Sequence, residues 1–491
     1  MRKNYANSMN KNIILLLLDT VRASDAYSSS MPFINGLARH ATKYGTAIAP
    51  GTWTAPSHAS LFTNKGVFSL SGVSKNFFRK NTKIEPWFVK TKFLSENERT
   101  IASALYSMGY YSVLFSNNPF LTSFTNLAVG FDKVYDIWLH SNIKYNKALA
   151  DKVSFVLKGG VKTRERIFSL SDAIAHLIPK PFFDKVYLNL RLKLDESVAK
   201  ADGTYKLDRG ASDTIAELEN YMEHSYNFMP HFIFMNFMEA HENYPVSSRA
   251  GLVQDKWLYM SGIEELDDYA VSKLHGAYLR RLRYLDAKLK QTIAALRSHG
   301  MLENATVVIT SDHGQLFGEH GMLYHSLFPY KEEVEVPLVG ANFEGGKLVK
   351  SEDFVEKPVS TISLYDAVLN LASGREEQLN GNLRRGRYVV SEHAGISEGW
   401  DYTLLSMLKG RSTMARLIYN AKMKNNIRSV AIYGSREKMK LIHFFGKRKD
   451  ELYSLNDHYE SENLIDAKKD VALKLLKAYA GLRPRAEPRN A

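Results

Sequence analysis

The 491-residue chain contains no cysteine. That excludes disulfides, thiolate-bound zinc, iron–sulfur clusters and a thiol nucleophile. Long apolar runs are missing too. The longest early one, Ile13 to Leu18, is far short of the roughly 18 residues that a membrane-crossing helix needs. Arg2, Lys3 and Lys11 precede it, as in a signal peptide, but Asp19 and Arg22 end it and no small-residue cleavage site follows. The run therefore reads as a buried strand. A cytoplasmic protein is expected, with peripheral membrane association left open. Acid is scarce in one stretch: residues 409–449 hold 12 Lys+Arg and a single acid, Glu437.

What is present is globular material, 45% hydrophobic and 24% charged. It suffices for one large domain with a smaller one appended. The net charge of +13 suits an anionic partner, whether a charged substrate, a membrane surface or a polymer. None of the usual nucleic-acid modules is present, so sequence-specific nucleic-acid binding is not expected.

Asn12 to Leu18 is apolar throughout rather than alternating, as in a strand buried on both faces of a parallel sheet. Further strands are expected at Tyr110–Phe115, Phe232–Phe237 and Ala305–Thr310. Helices are expected at Met31–Thr42, Thr100–Met108, Leu274–Arg297 and about Ala467–Leu482. Alternating strands and helices predict an α/β fold with a mostly parallel central sheet. Residues 1–375 read as the main domain and 376–491 as a C-terminal subdomain. The basic alternating segment Arg428–Phe445 predicts a small antiparallel sheet there, joined by the final helix. Within the main domain, about 141–225 reads as a basic helical insertion. Its first 70 residues, 141–210, hold 14 Lys+Arg against 8 Asp+Glu. That insertion and the C-terminal sheet are the expected contacts for an anionic membrane or polysaccharide.

Ligands of such sheets bind beyond the carboxyl ends of the strands. Asp19 follows one strand, and Asp312-His313 follows another nearly 300 residues later. Two carboxylates and an imidazole suit one divalent ion. The segment Trp53-Thr54-Ala55-Pro56-Ser57-His58-Ala59-Ser60 places Thr54 before Pro56, where threonine could cap a helix and where an anion could bind.

These motifs resemble the sulfatases of the alkaline phosphatase/sulfatase superfamily. Asn12–Arg22 resembles their opening strand with its Asp-Asp-x-Arg. Thr54–Leu61 resembles the nucleophile turn. Tyr278–His313 resembles the long helix and metal strand. Gly318–Leu338 resembles the next block, and Glu451–Leu455 the closing Glu-Leu-Tyr-Asp-Leu. The resemblance makes Asp19, Asp312, His313 and Thr54 the metal ligands and Thr54 the nucleophile. It places His241 and His325 at the transferred anion in catalytic roles, and Arg22, His58 and Asn117 at the substrate-binding site. Residues 64–98 and 141–210 are not covered.

The departures are chemical. Sulfatases convert a cysteine or serine into an aldehyde hydrate; Thr54 would give a ketone at best. Thr20 replaces the second acid of the Asp-Asp pair, which favours manganese or zinc over calcium or magnesium. His58 replaces an arginine. Asn117-Asn118 replaces a lysine–histidine pair. The expectation is a metal-dependent ester hydrolase working through a covalent Thr54 intermediate, with phosphate esters favoured over sulfate. Transfer of the phosphoryl group to a lipid or polysaccharide, and an inactive anion-binding protein, remain alternatives.

Overall fold

The computed structural model describes residues 11–70, 92–138, 207–224, 229–244, 256–351, 353–375, 379, 383, 387–395 and 412–482. The predicted insertion lies mostly outside them. Its described end, Ala211–His224, is a helix that packs into the main core.

Nine strands of the described residues form the central sheet. In chain order they are β1 (Asn12–Leu18), β2 (Thr42–Tyr44), β3 (Tyr111–Ser116), β4 (Lys133–Asp136), β5 (His231–Phe237), β6 (Asn304–Ser311), β7 (Leu338–Glu344), β8 (Lys347–Val349) and β9 (Phe354–Val355). The spatial order is β9-β2-β7-β6-β1-β5-β3-β4, with β8 on β7. The centre is parallel: β1 pairs with β5 and β6, and β3 with β4 and β5. β7 enters antiparallel between β6 and β2.

The apolar run of β1 explains its central place. Ile14, Leu16 and Leu18 face one core, and Ile13, Leu15 and Leu17 face the other; all six are fully buried. Each such side chain contributes about 1.5–3 kcal/mol by leaving water. The register ends flush, with Leu18 opposite both Phe237 and Ser311. Asp19 and Asp312 therefore leave the sheet side by side, as expected.

The helices that matter for the site are α1 (Pro32–Ala38), α2 (Thr54–Thr63), α3 (Asp268–Ser298) and the four-residue α4 (Lys331–Val334). The expected helix Met31–Thr42 is shorter than its apolar pattern suggested. It stops at Ala38 because Thr42 and Lys43 are taken by the sheet, opposite Gly340 and Val339. Tertiary pairing outweighs local helical pattern there.

A second sheet begins at Tyr388 and is four-stranded and antiparallel: β10 (Tyr388–His393), β11 (Ser429–Gly434), β12 (Met439–Phe444) and β13 (Glu451–Ser454). The final helix Lys469–Leu482 covers one of its faces. The other face packs on Trp257, Leu316, Leu327, Phe328 and Tyr330 of the main domain. Among the described residues no helix is long and apolar enough to cross a membrane.

Candidate active site

Three chain segments converge at the carboxyl edge of β1, β5 and β6. Asp19 follows β1 and is fully buried; its amide donates to Phe237 O at 2.9 Å. Thr20 turns the chain with φ 62°, a conformation uncommon outside glycine, asparagine and aspartate. It is held on both sides, because Tyr278 Oη donates to its carbonyl and its amide donates to Asp312 Oδ1. Thr20 thus shapes the turn between the carboxylates without adding a third one.

Asp312 and His313 follow β6. His313 Nδ1 donates to Gly314 O at 2.9 Å, which leaves Nε2 free to act as a ligand. That Nε2 lies 3.5 Å from Asp312 Oδ2 and 3.8 Å from Asp19 Oδ1. Thr54 opens α2. Its hydroxyl does not cap the helix. Thr54 is the first helical residue, and its Oγ1 stands 3.5 Å from Asp19 Oδ2 and 3.4 Å from His313 Nε2.

Asp19 Oδ1 and Asp312 Oδ2 are buried and have no hydrogen-bond partner. Burial, and for Asp19 also its neighbour Asp312, pushes these carboxyls up, to about 6 for Asp19 and about 7 for Asp312. Buried like charges lacking a counter-ion behave this way. One ligand-type atom from each of Asp19, Asp312 and His313 lies within 4.8 Å of the others, and the Thr54 hydroxyl is 3.4 Å from His313 Nε2, close enough for one small cation to gather them at about 2.0–2.3 Å. The donor set therefore fits a divalent ion.

His58, one turn along α2, is fully buried. Its Nδ1 donates to Thr54 O at 2.9 Å, and its ring packs edge-on against Phe62 and Phe234. Burial lowers its pKa to about 4, so it is neutral. It braces the first turn from behind rather than offering a cation to an anion.

A second layer stands beside the carboxylates. His241 and His325 lie with ring centroids 4.9 Å apart, and His325 is 4.5 Å from His313. Glu242 joins the pair: its Oε2 is 3.2 Å from Nδ1 of His241 and 3.2 Å from Nδ1 of His325. Gln315 Oε1 also meets His325 Nδ1, at 2.9 Å. Burial holds His325 neutral, near 3. Burial would raise the Glu242 carboxyl, but the imidazoles and Lys256 hold it well below the usual carboxylate range.

Two expected substrate contacts lie elsewhere. Arg22 pairs through Nε with Asp25 and through Nη1 with Glu319, both at 2.9 Å, and donates to Gln315 O. It fastens the loop beyond His313 instead of facing an ester. Asn117 is buried and turned to the other side, its Nδ2 donating to Thr214 Oγ1 at 2.7 Å and to Asn236 O. The amide that reaches the carboxylates is its neighbour Asn118, whose Nδ2 donates to Asp19 Oδ2 at 2.7 Å. Successive residues leaving a strand point to opposite faces, so a one-residue choice decides this. The structure thus brings together Asp19, Thr54, His58, His241, Asp312, His313 and His325, and sets Arg22 and Asn117 apart. Sequence reasoning chose Asn117 over its neighbour Asn118 and missed Glu242, Gln315 and Lys256. Lys256 Nζ donates to His325 O at 2.7 Å from a short helix that carries no motif.

The fold and part of the sequence have relatives among known proteins. Among solved structures, the phosphonate monoester hydrolase of Agrobacterium radiobacter superposes with a TM-score of 0.61 at 14% identity. It covers 96% of this chain and 95% of its own. A putative sulfatase from Bacteroides thetaiotaomicron gives 0.61 at 16% identity, over 98% and 96%. At these identities the likeness is one of fold. Arylsulfatase K of Danio rerio is 30% identical over 132 residues, 24% of this chain and 24% of that protein. A sulfatase of Formosa agariphila is 29% identical over 132 residues, 27% and 25%. The aligned stretches thus span about a quarter of these relatives' own length. Residues 11–374 match the Sulfatase family, from the strand before Asp19 to beyond the loop bearing His325, and the chain belongs to that family.

Proposed function

We propose that this chain is a metal-dependent ester hydrolase that uses Thr54 as its nucleophile and prefers phosphate esters. The observation that carries the reading is the Thr54 hydroxyl. It stands at the N-terminus of α2, 3.4–3.5 Å from two atoms of the buried Asp19, Asp312 and His313 triad. A divalent ion bound there, manganese or zinc, would lower the hydroxyl's pKa by several units and offset the charge of the ester. Thr54 Oγ1, its proton released to solvent, then attacks phosphorus; the Oγ1–P bond forms as the bond from phosphorus to the leaving alcohol breaks. The α2 N-terminus directs amides toward the developing charge. The leaving oxygen needs a proton. Burial keeps His325 neutral, and the His241 side chain is 21% exposed, which favours His241 as donor. Water then cleaves the phosphothreonine.

A sulfate ester is the second reading. Family membership and relatives named as sulfatases favour it. The side chain argues the other way, because Thr54 cannot give an aldehyde. Aryl phosphate, aryl phosphodiester and aryl sulfate should be assayed with added manganese, zinc or calcium. The reading expects phosphate turnover that Thr54→Ala lowers by at least about a thousandfold. It also expects Thr54 to gain a phosphoryl group, seen by mass spectrometry. Dominant sulfatase activity that survives Thr54→Ala overturns it.

A further inference from the structure

Another cluster of ligand-type side chains lies between the loop beyond His313 and the C-terminal sheet. None of its members takes part in the reaction above. His320, Glu332 and Glu460 bring one nitrogen and two carboxylate oxygens within 4.8 Å of one another. His320 Nε2 is 3.4 Å from Glu332 Oε2 and 3.9 Å from Glu460 Oε2. Two ligands held at ~2.0–2.1 Å by a tetrahedral ion sit about 3.4 Å apart. Asp312 and His313 show nearly the same spacing, 3.5 Å.

A second observation points to a missing ligand. Glu332 is 8% exposed, and its Oε2 is buried with no hydrogen-bond partner. His320 Nε2, which faces it at 3.4 Å as an ion-pair partner, is also buried and is poorly aligned for a hydrogen bond. A modest ring rotation would align the two atoms and satisfy both. Such a rotation would cost the ring its stacking contact. The ring stacks on Tyr330 at 3.8 Å with an interplanar angle of 7°. Tyr330 Oη is itself fixed, donating to Glu451 Oε2 at 2.9 Å and accepting from Arg448. The third member is held as firmly. Glu460 Oε1 accepts from the buried Lys440 Nζ at 2.6 Å, and Oε2 accepts from Lys331 N at 3.1 Å while facing His320. Unsatisfied buried polar atoms are costly and call for an explanation.

We propose that His320, Glu332 and Glu460 form a second divalent-cation site, structural in role, that takes zinc or manganese. One imidazole and two carboxylates suit either ion, and water would complete the shell. Placement gives the role. Glu332 lies on α4, where the carbonyls of Glu332 and Glu333 accept from the amides of Gln315 and Gly314 at 2.8 and 2.6 Å. Glu460 follows the last strand of the C-terminal sheet. A cation between them ties the segment behind His313 to that sheet. The competing occupant is a proton: an imidazolium at His320 would serve both carboxylates with no metal.

The test counts metal and does not depend on activity. The full chain is stripped with a chelator, loaded with zinc or manganese, dialysed and analysed by inductively coupled plasma mass spectrometry. Asp19→Asn/Asp312→Asn disables the catalytic triad. That double variant is expected to keep one equivalent of zinc, and zinc is expected to raise its melting temperature. Adding Glu332→Gln or His320→Gln is expected to abolish both effects. Should either added variant fail to fold by circular dichroism, Glu460→Gln takes its place. A natively folded double variant that binds no zinc, or one whose equivalent survives all three added substitutions, overturns the proposal. If only the catalytic reading is wrong, the wild type holds one equivalent and the double variant still keeps it.

Discussion

Glu242 shows how much one side chain decides. Its Oε2 reaches Nδ1 of both His241 and His325. The two Nδ1 atoms already meet Glu242 O at 2.8 Å and Gln315 Oε1 at 2.9 Å, so the carboxylate adds a negative charge that steadies the aim of both rings. Glu242→Gln keeps the shape and removes the charge. It is expected to lower kcat about 10- to 100-fold while leaving KM little changed, as steady-state kinetics on an aryl phosphate would show. Asp312 illustrates the opposite tension between function and stability. Its carboxyl sits at about 7 in the metal-free fold, against about 4 in an unfolded chain. Between those values the folded state binds the extra proton, so this residue's contribution to stability falls as pH rises. Asp312→Asn is therefore expected to raise the melting temperature of the metal-free protein at pH 8 while weakening metal binding there. A lower melting temperature than metal-free wild type at that pH would contradict the assignment.

At the scale of elements, the loop after β6 is held by close backbone approach. A Cβ on Gly314 would collide with the Glu332 carbonyl oxygen and crowd Arg22 Cγ. The same stretch of α4 accepts the Gly314 and Gln315 amides. Gly314→Ala is expected to push α4 away and displace His313, so activity falls by far more than stability does. Comparing kcat/KM with the urea midpoint would show this. β1 is the reverse case: Leu16→Ala there should cost about 2–5 kcal/mol in urea unfolding. The legibility of these elements in sequence follows their physics. β1 was plain because a strand buried on both faces needs an unbroken apolar run. Asp19, Asp312 and His313 were plain because parallel strands deliver their ends to one edge. The end of α1 was not, since Thr42 belongs to the sheet through a pairing some 300 residues away. Nor could sequence tell Asn117 from Asn118, or find Lys256, which arrives on a helix with no motif of its own.

At the scale of the molecule, the two sheets share one apolar interface. Trp257, Leu316, Leu327, Phe328 and Tyr330 pack with Val389, Ala431, Tyr433, Ile442 and Phe444. An apolar interface of this kind couples the two sheets. Far-UV circular dichroism and tryptophan fluorescence are expected to trace the same urea transition. A chain ended at residue 375 is expected to expose that face, bind a hydrophobic dye and aggregate. Among the described residues of the basic stretch, 412–449, Lys440 and Lys422 are buried at 1% and 4% exposure. Cations committed inside the fold are not available to an anionic polymer.

The flush ends of β1, β5 and β6 set a rule for what can vary in this scaffold. Slipping β1 or β6 by a single residue would carry Asp19 or Asp312 about 3.3 Å along the sheet and turn it to the opposite face. A deletion inside β1 would therefore uncouple Asp19 from Asp312 even if the chain still folded. An insertion between Asp19 and Thr54 at a solvent-facing turn would leave both in place. Lengthening at the loops and invariance of strand length are the pattern of change this architecture permits.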